Sequence, residues 1–126
     1  MVAAPVRHVR RAADVLLASG ATLLAGHSAH VFHGVRGPVL YDLGDFIDDY
    51  AVDRALRNDL GLLWLVELDG TGPIRLEAVP LRLEFCHTRL ALDEDRDWIV
   101  QRFRRACEEF GTEVEEQDGR LVVTWR

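Results

Sequence analysis

Three of the five histidines in this 126-residue chain, His27, His30 and His33, lie each three residues from the next. The carboxylates Asp42, Asp45, Asp48 and Asp49 follow shortly after. Neutral imidazole is the commonest protein ligand for zinc, iron, nickel and copper, and carboxylates complete such sites. The pattern points to part of a metal site. Its competitor is a loop of exposed or hydrogen-bonded imidazoles followed by a solvated acidic turn. Two or three imidazoles are too few for a closed structural zinc site, and a two-metal centre needs more donors still. The remaining donors would come from the aspartates, a ligand or another polypeptide. Asp42 and Asp45 lie nearest a strand end and are the better carboxylate candidates.

These residues need a scaffold, and the flanking apolar runs supply one. Ala21 to Ala25 reads as a short buried strand, and Val39 to Leu43 as a second. The segment is therefore strand, histidine loop, strand and acidic turn. Gly26 stands where the backbone approaches a ligand closely, and a loop after a buried strand is the usual place for a site on an α/β sheet. Upstream, Val6, Val9, Ala13 and Leu16 recur at helical spacing and predict one apolar face over Val6 to Ser19. Arg7, Arg10, Arg11 and Asp14 take the other side. Pro5 suits the first turn and Gly20 the stop. A helix leading into an apolar strand is half of a βαβ unit whose first strand would lie upstream. The expectation is an incomplete chain with an exposed edge along Ala21 to Ala25, prone to self-association.

Downstream, Arg36, Gly37 and Pro38 form a turn, and Asp45 to Asn58 is irregular, with a helical turn near Val52 to Leu56. Gly61 to Asp69 and Ile74 to Phe85 predict a long β-hairpin. Its apolar parity slips at Val79 and Pro80, which predicts a β-bulge there. Asp93 to Phe110 reads as a second helix, with Asp93 as N-cap and acidic residues at the positive helix start. Trp98, Ile99, Phe103, Ala106 and Phe110 make its stripe. Asp118-Gly119 predicts a small hairpin of Thr112 to Gln117 and Arg120 to Trp125.

The net charge of −6 argues against a nucleic-acid surface, which needs clustered Lys and Arg. Apolar residues make up 48%, enough for a core. Cys86 and Cys107 fit no metal or redox spacing and read as core or half-buried thiols of a reducing compartment. No run reaches the ~18–20 apolar residues of a membrane helix, and no signal peptide follows Met1. The expected location is cytoplasmic. His8 and His87 read as structural or exposed, Trp64, Trp98 and Trp125 as core, and Arg54 and Arg57 as surface residues, with anion binding as their alternative.

Two motifs carry a family resemblance. Gly26, His27, His30 and Val31 match a glycine-histidine pair followed, two residues on, by His-Val. Tyr41, Leu43, Gly44 and Phe46 match a Tyr-x-Leu-Gly-Asn-Phe run, with Asp45 in place of the family's Asn. In these motifs, and in AVPLRLEF at the hairpin's end, the chain resembles the bacterial capsule synthesis, or poly-γ-glutamate synthesis, family of the calcineurin-like metallophosphoesterase superfamily. The resemblance covers roughly residues 5 to 92. It implies an α/β fold, the C-terminal part of a two-sheet sandwich flanked by helices. Residues 1–92 would belong to that domain and 93–126, the last helix and hairpin, would extend it. The family's upstream aspartate, Asn-His and His-Trp-Gly motifs are not in this sequence, so Met1 is expected to correspond to an internal position. The resemblance further implies divalent metal ions (Mn, Fe or Zn) and a phosphorylated or capsule-polymer ligand. His27 and His30 would be metal ligands or transition-state contacts, His33 a lower-ranked ligand, and Asp45 a ligand or an orienting group. The implied activity is metal-dependent phosphoester hydrolysis by the completed protein. The alternatives are a non-catalytic component of capsule polymer assembly or export, and a gene fragment without separate function.

Overall fold

The computed structural model describes residues 1–48 and 51–125. Its order is α1 (Arg7–Ala18), β1 (Leu24–Ala25), β2 (Val35–Arg36), β3 (Val39–Leu40), β4 (Leu60–Asp69), β5 (Gly72–Glu84), β6 (His87–Leu90), α2 (Asp93–Glu108), β7 (Glu115–Gln117) and β8 (Arg120–Thr124). The architecture is mixed α/β with two sheets. The small sheet runs β1-β3-β2, with β1 parallel and β2 antiparallel to β3. The large sheet runs β4-β5-β8-β7, and β6 also pairs β5. The expected strands Ala21 to Ala25 and Val39 to Leu43 shrink to two residues each, and β2 and β6 are additions to the expected set.

Helix α2 covers one face of the large sheet. Ile99, Val100, Phe103 and Cys107 pack with Leu60, Leu62, Leu76, Ala78, Leu121 and Val123, and Phe32, Val35 and Leu40 of the small-sheet region join them. Phe103 meets the Phe32 ring edge-on at 6.2 Å and the Trp64 ring at 5.6 Å. Each such aromatic pair adds about 0.5–1.5 kcal/mol beyond its burial. Two indoles fasten the sheets together: Trp64 Nε1 donates to the Leu43 carbonyl at 2.8 Å, and Trp125 Nε1 to the Gly37 carbonyl at 2.7 Å. Residues beyond 93 thus share one core with the histidine region. Cys107 accepts from the Val35 N–H, and burial pushes its thiol up to about 11. Cys86 is exposed, and both cysteines are free.

Asp93 does not cap α2, whose N-cap is Leu92 with no side-chain capping hydrogen bond. Two further expectations need correction. The parity slip at Val79 and Pro80 is not a bulge. The β4–β5 register runs unbroken from Leu60↔Arg82 to Glu67↔Arg75 and shifts only between Glu67 and Leu68, beside the turn. Leu76, Ala78 and Pro80 are buried on the face beneath α2, whereas Leu81 and Leu83 are buried on the opposite face. There the acidic segment lies over the sheet. A Cβ on Gly61 would come within 2.7 Å of the Asp45 carbonyl oxygen, and Thr88 Oγ1 donates to the Phe46 carbonyl. Parity recorded a change of covered face, not an extra residue. The second correction concerns α1. Of its predicted apolar face only Ala13 is buried, while Val6, Val9 and Leu16 are exposed. Periodicity reports the face, but not whether anything covers it.

Among the described residues, no helix is long and apolar enough to cross a membrane.

Candidate functional site

The histidine loop leaves β1 at Gly26 and runs back along the strand that leads to the acidic segment. Gly26 N–H donates to the Leu40 carbonyl at 2.8 Å, Leu43 N–H to the Gly26 carbonyl at 2.9 Å, and His33 N–H to the Asp42 carbonyl at 3.1 Å. Phe32 and Leu43 form an isolated antiparallel bridge. The two stretches with family-like spacing are therefore laced together by backbone hydrogen bonds.

Asp42 is the clamp. Its side chain is buried, with Oδ2 accepting from Ala29 N–H at 2.8 Å and Oδ1 from Gly44 N–H at 2.9 Å. One carboxylate thus satisfies a donor on each of the two stretches. An amide offers only one acceptor oxygen. Asp42→Asn is expected to leave one half-buried N–H without its acceptor and to lower stability by about 1 kcal/mol, read as a fall in the urea midpoint at unchanged slope.

Each histidine has a different environment. His30, at a left-handed φ of 64°, places Nδ1 3.1 and 3.0 Å from the two carboxylate oxygens of Asp45. His27 is exposed, and its Nδ1 lies 2.9 Å from Ser28 Oγ. His33 is 4% exposed; its Nε2 donates to the Val2 carbonyl at 2.9 Å, and its Nδ1 is buried without a partner. The period of three thus brings His30 to Asp45 and sends His33 inward beneath the N-terminal segment. His8 and His87 are exposed.

Asp45 sits in a contest of effects. Burial raises its carboxyl above the ordinary carboxylate range, the hydrogen bond from His30 pulls it down, and the neighbouring Asp48 raises it again. The net direction is upward. Asp48 in turn accepts from Asn58 Nδ2 at 3.1 Å, and Asn58 is buried. Asn58, Asp48, Asp45 and His30 form a chain of polar contacts. Asn58 and Ser28 went unread in the sequence, because nothing in their spacing marks them as partners of the loop. Asp49 lies outside the described residues.

An imidazole held on a carboxylate is an arrangement that moves protons and orients a ring. As a metal centre the set does not fit. Among the described residues, no group of three or more His, Cys, Asp or Glu is disposed to hold an ion. His33 turns Nε2 to a carbonyl, and Asp42 spends both oxygens on backbone donors.

No family model matches the chain. It is similar to two curated proteins of Mycobacterium tuberculosis, from strains CDC 1551 / Oshkosh and ATCC 25618 / H37Rv, each named "Probable polyglutamine synthesis accessory protein". Identity to each is 30% over 110 residues, covering 79% of this chain and 28% of the relative. The chain thus spans a little over a quarter of the length of these relatives. Over most of its own length it is similar to polyglutamine synthesis accessory proteins.

Proposed function

We propose that this chain is a poly-γ-glutamate (capsule) synthesis accessory segment and carries one part of a phosphoester-hydrolysing site. The observation behind this reading is the His30–Asp45 pair, formed where the two family-like motifs meet. In this role Asp45 holds the His30 ring by Nδ1, and His30 exchanges a proton with the leaving or attacking oxygen of a phosphoester. His27 lies on the same loop. The two sheets would then be the C-terminal part of a metallophosphoesterase-type sandwich. A divalent ion such as Mn, Fe or Zn would need donors from outside the described residues, so no step is routed through one.

The test is hydrolysis of an activated aryl phosphodiester with manganese, by this chain alone and by the full-length mycobacterial relative. The chain alone is expected to show no turnover. The relative is expected to turn over, and replacing the histidine aligned with His30 by glutamine should lower kcat about 10²–10⁴-fold. Robust turnover by the isolated chain would show that its own residues complete the site. Absence of hydrolysis by the relative sinks the hydrolytic reading.

A second reading is a non-catalytic component of capsule polymer assembly or export. The buried, carbonyl-bound His33 and the structural Asp42 favour it, since both serve the fold. Under it, calorimetric manganese titration of the relative gives the same affinity before and after replacing the histidine aligned with His27.

A further inference from the structure

The chain has no lysine, and its arginines do not all find acids, although Asp and Glu outnumber Arg by 21 to 15. On the large sheet they do: Arg75 and Arg120 meet Glu77, and Arg82 meets Asp59. Arg7, Arg10, Arg11, Arg102 and Arg105 have no carboxylate partner among the described residues. Arg10 Nε donates to the Pro5 carbonyl at 3.0 Å, and Arg102 donates to the Ala3 carbonyl at 3.3 Å. These bonds hold the two side chains in place and leave each guanidinium, a fork of five donors, with N–H groups to spare.

The five come together where α1 begins and α2 ends. Arg102, Arg105, Ala106 and Glu109 form one stripe of α2 and its cap, and with Pro5 and Phe110 they line a hollow of about 180 Å³. Arg10 lies 5.1 Å from the centre of the Phe110 ring, so it borders the same hollow from α1. Arg10 and Asp14 mark the flank of α1 that faces β2 and the end of α2, since Asp14 pairs with Arg36. At 3.6 residues per turn, Arg7 falls on that flank and Arg11 on its outer margin. A cationic track therefore runs from Arg105 and Arg102 across the hollow to Arg10, Arg7 and Arg11. Arg36 neutralises Asp14, which leaves Glu109 as the acid that lines the hollow. Cations at the start of a helix oppose its dipole. Yet α1 starts with Arg7 and no acid in its first turn, whereas α2 starts with Asp93, Glu94 and Asp95. Guanidinium groups gathered without acids, in a chain of net charge −6, repel one another, and a bound anion would relieve that repulsion.

We propose that this track binds a linear polycarboxylate; the choice of polymer, poly-γ-glutamate, rests on the accessory role proposed above. Guanidinium and carboxylate pair as matching forks, which suits a track built of arginine alone. A stiff nucleic-acid duplex would bring its phosphates against the acidic remainder of the surface, whereas a flexible chain lays its charges on the track only. Single-stranded nucleic acid binds through aromatic stacking platforms. The rings beside the track, Phe110 and Trp98, are half-buried and already carry Arg10 and Arg102, at 5.1 and 5.8 Å.

The experiment is fluorescence anisotropy of end-labelled poly-γ-glutamate titrated with the 126-residue chain, at about 50 and about 200 mM salt. The wild type is expected to bind, and less tightly at the higher salt. Arg102→Gln/Arg105→Gln and Arg7→Gln/Arg11→Gln should each weaken binding about tenfold, the scale of two lost exposed ion pairs. Arg54→Gln, at an exposed arginine outside the track, should leave it unchanged. Glu109→Gln should tighten it, a gain that misfolding cannot imitate. Single-stranded DNA of equal charge should bind more weakly than the polycarboxylate. Absence of wild-type binding, unaltered binding by both double variants, or tighter binding of the DNA overturns the proposal. The track variants leave the His30–Asp45 pair intact, so polymer binding by this chain and hydrolysis by the full-length relative fail independently.

Discussion

Replacing Asp59 by alanine is expected to cost about 3–5 kcal/mol, the scale for removing one partner from a buried charge cluster. The Asp59 side chain is 7% exposed. Arg57 grips it with two hydrogen bonds, at 2.9 and 3.0 Å, and Arg82 of β5 adds an ion pair at 2.9 Å. Both guanidinium groups also reach Asp95 of α2, at 3.5 and 3.4 Å, and Arg57 stacks over Trp98. One carboxylate thus joins the entry to β4, the open end of the hairpin and the covering helix. Its removal leaves two cations sharing a longer, weaker contact to Asp95. The cluster also predicts a pH dependence. Burial pushes the Asp59 carboxyl upward, but Arg57 and Arg82 outweigh it, and the net shift is downward. A carboxyl held low in the folded state gives stability that is complete above its unfolded value, about 3.9, and is lost as pH falls through the folded value. Asp45 runs the other way: its raised carboxyl favours the fold below the unfolded value and loses that contribution as pH rises through the folded one. Urea denaturation from neutral to acidic pH should therefore show a shallower acid decline in Asp59→Ala than in wild type. A neutral-pH loss below about 1 kcal/mol would place the cluster among solvated surface pairs.

Arg57 illustrates what a single sequence conceals. From its neighbours it reads as an ordinary surface cation: Asp59 is only two residues away, but Arg82 on β5 and Asp95 on α2, which complete the cluster, are brought there only by the fold. The same limit applies to the histidines. Types and spacing single out His27, His30 and His33 and the aspartates beyond them, and the fold does join His30 to Asp45. Spacing alone does not reveal that Val2 crosses the loop and takes up His33. Nor does it separate Asp42, buried as a clamp, from Asp45, held at 20% side-chain exposure beside an imidazole. That distinction depends on which backbone N–H groups are left over when two strands end, a property of pairing and not of composition. Long periodic segments were legible: the β4–β5 hairpin, α2 and the β7–β8 hairpin around Asp118-Gly119 lie where alternation, acidic helix starts and turn chemistry put them. Two-residue strands carry too little pattern to be bounded.

Gly26→Ala is expected to destabilise the chain by about 3 kcal/mol or more, the upper range for overpacking against atoms that cannot move aside. A Cβ at Gly26 would lie 2.2 Å from the Tyr41 carbonyl oxygen and 3.2 Å from its carbon. The obstacle is backbone, so no rotamer relieves it. The two stretches must separate where Gly26 N–H meets Leu40 and Leu43 N–H meets Gly26, which loosens both hydrogen bonds at once. Gly37 provides the comparison. Its φ is +51°, but no atom lies within 4 Å of the position a Cβ would take. Gly37→Ala should therefore cost only the left-handed backbone term, about 1 kcal/mol. The two substitutions also differ at the site. Moving residue 26 away from the β3 side displaces the loop that carries His30, while Asp45 is held on the other stretch. The imidazole nitrogen resonances of His30 should shift in Gly26→Ala and stay in place in Gly37→Ala. Equal melting temperatures for the two variants would mean that β1 and the Tyr41 strand do not meet as closely as this geometry requires, and the pairing of His30 with Asp45 would lose its support.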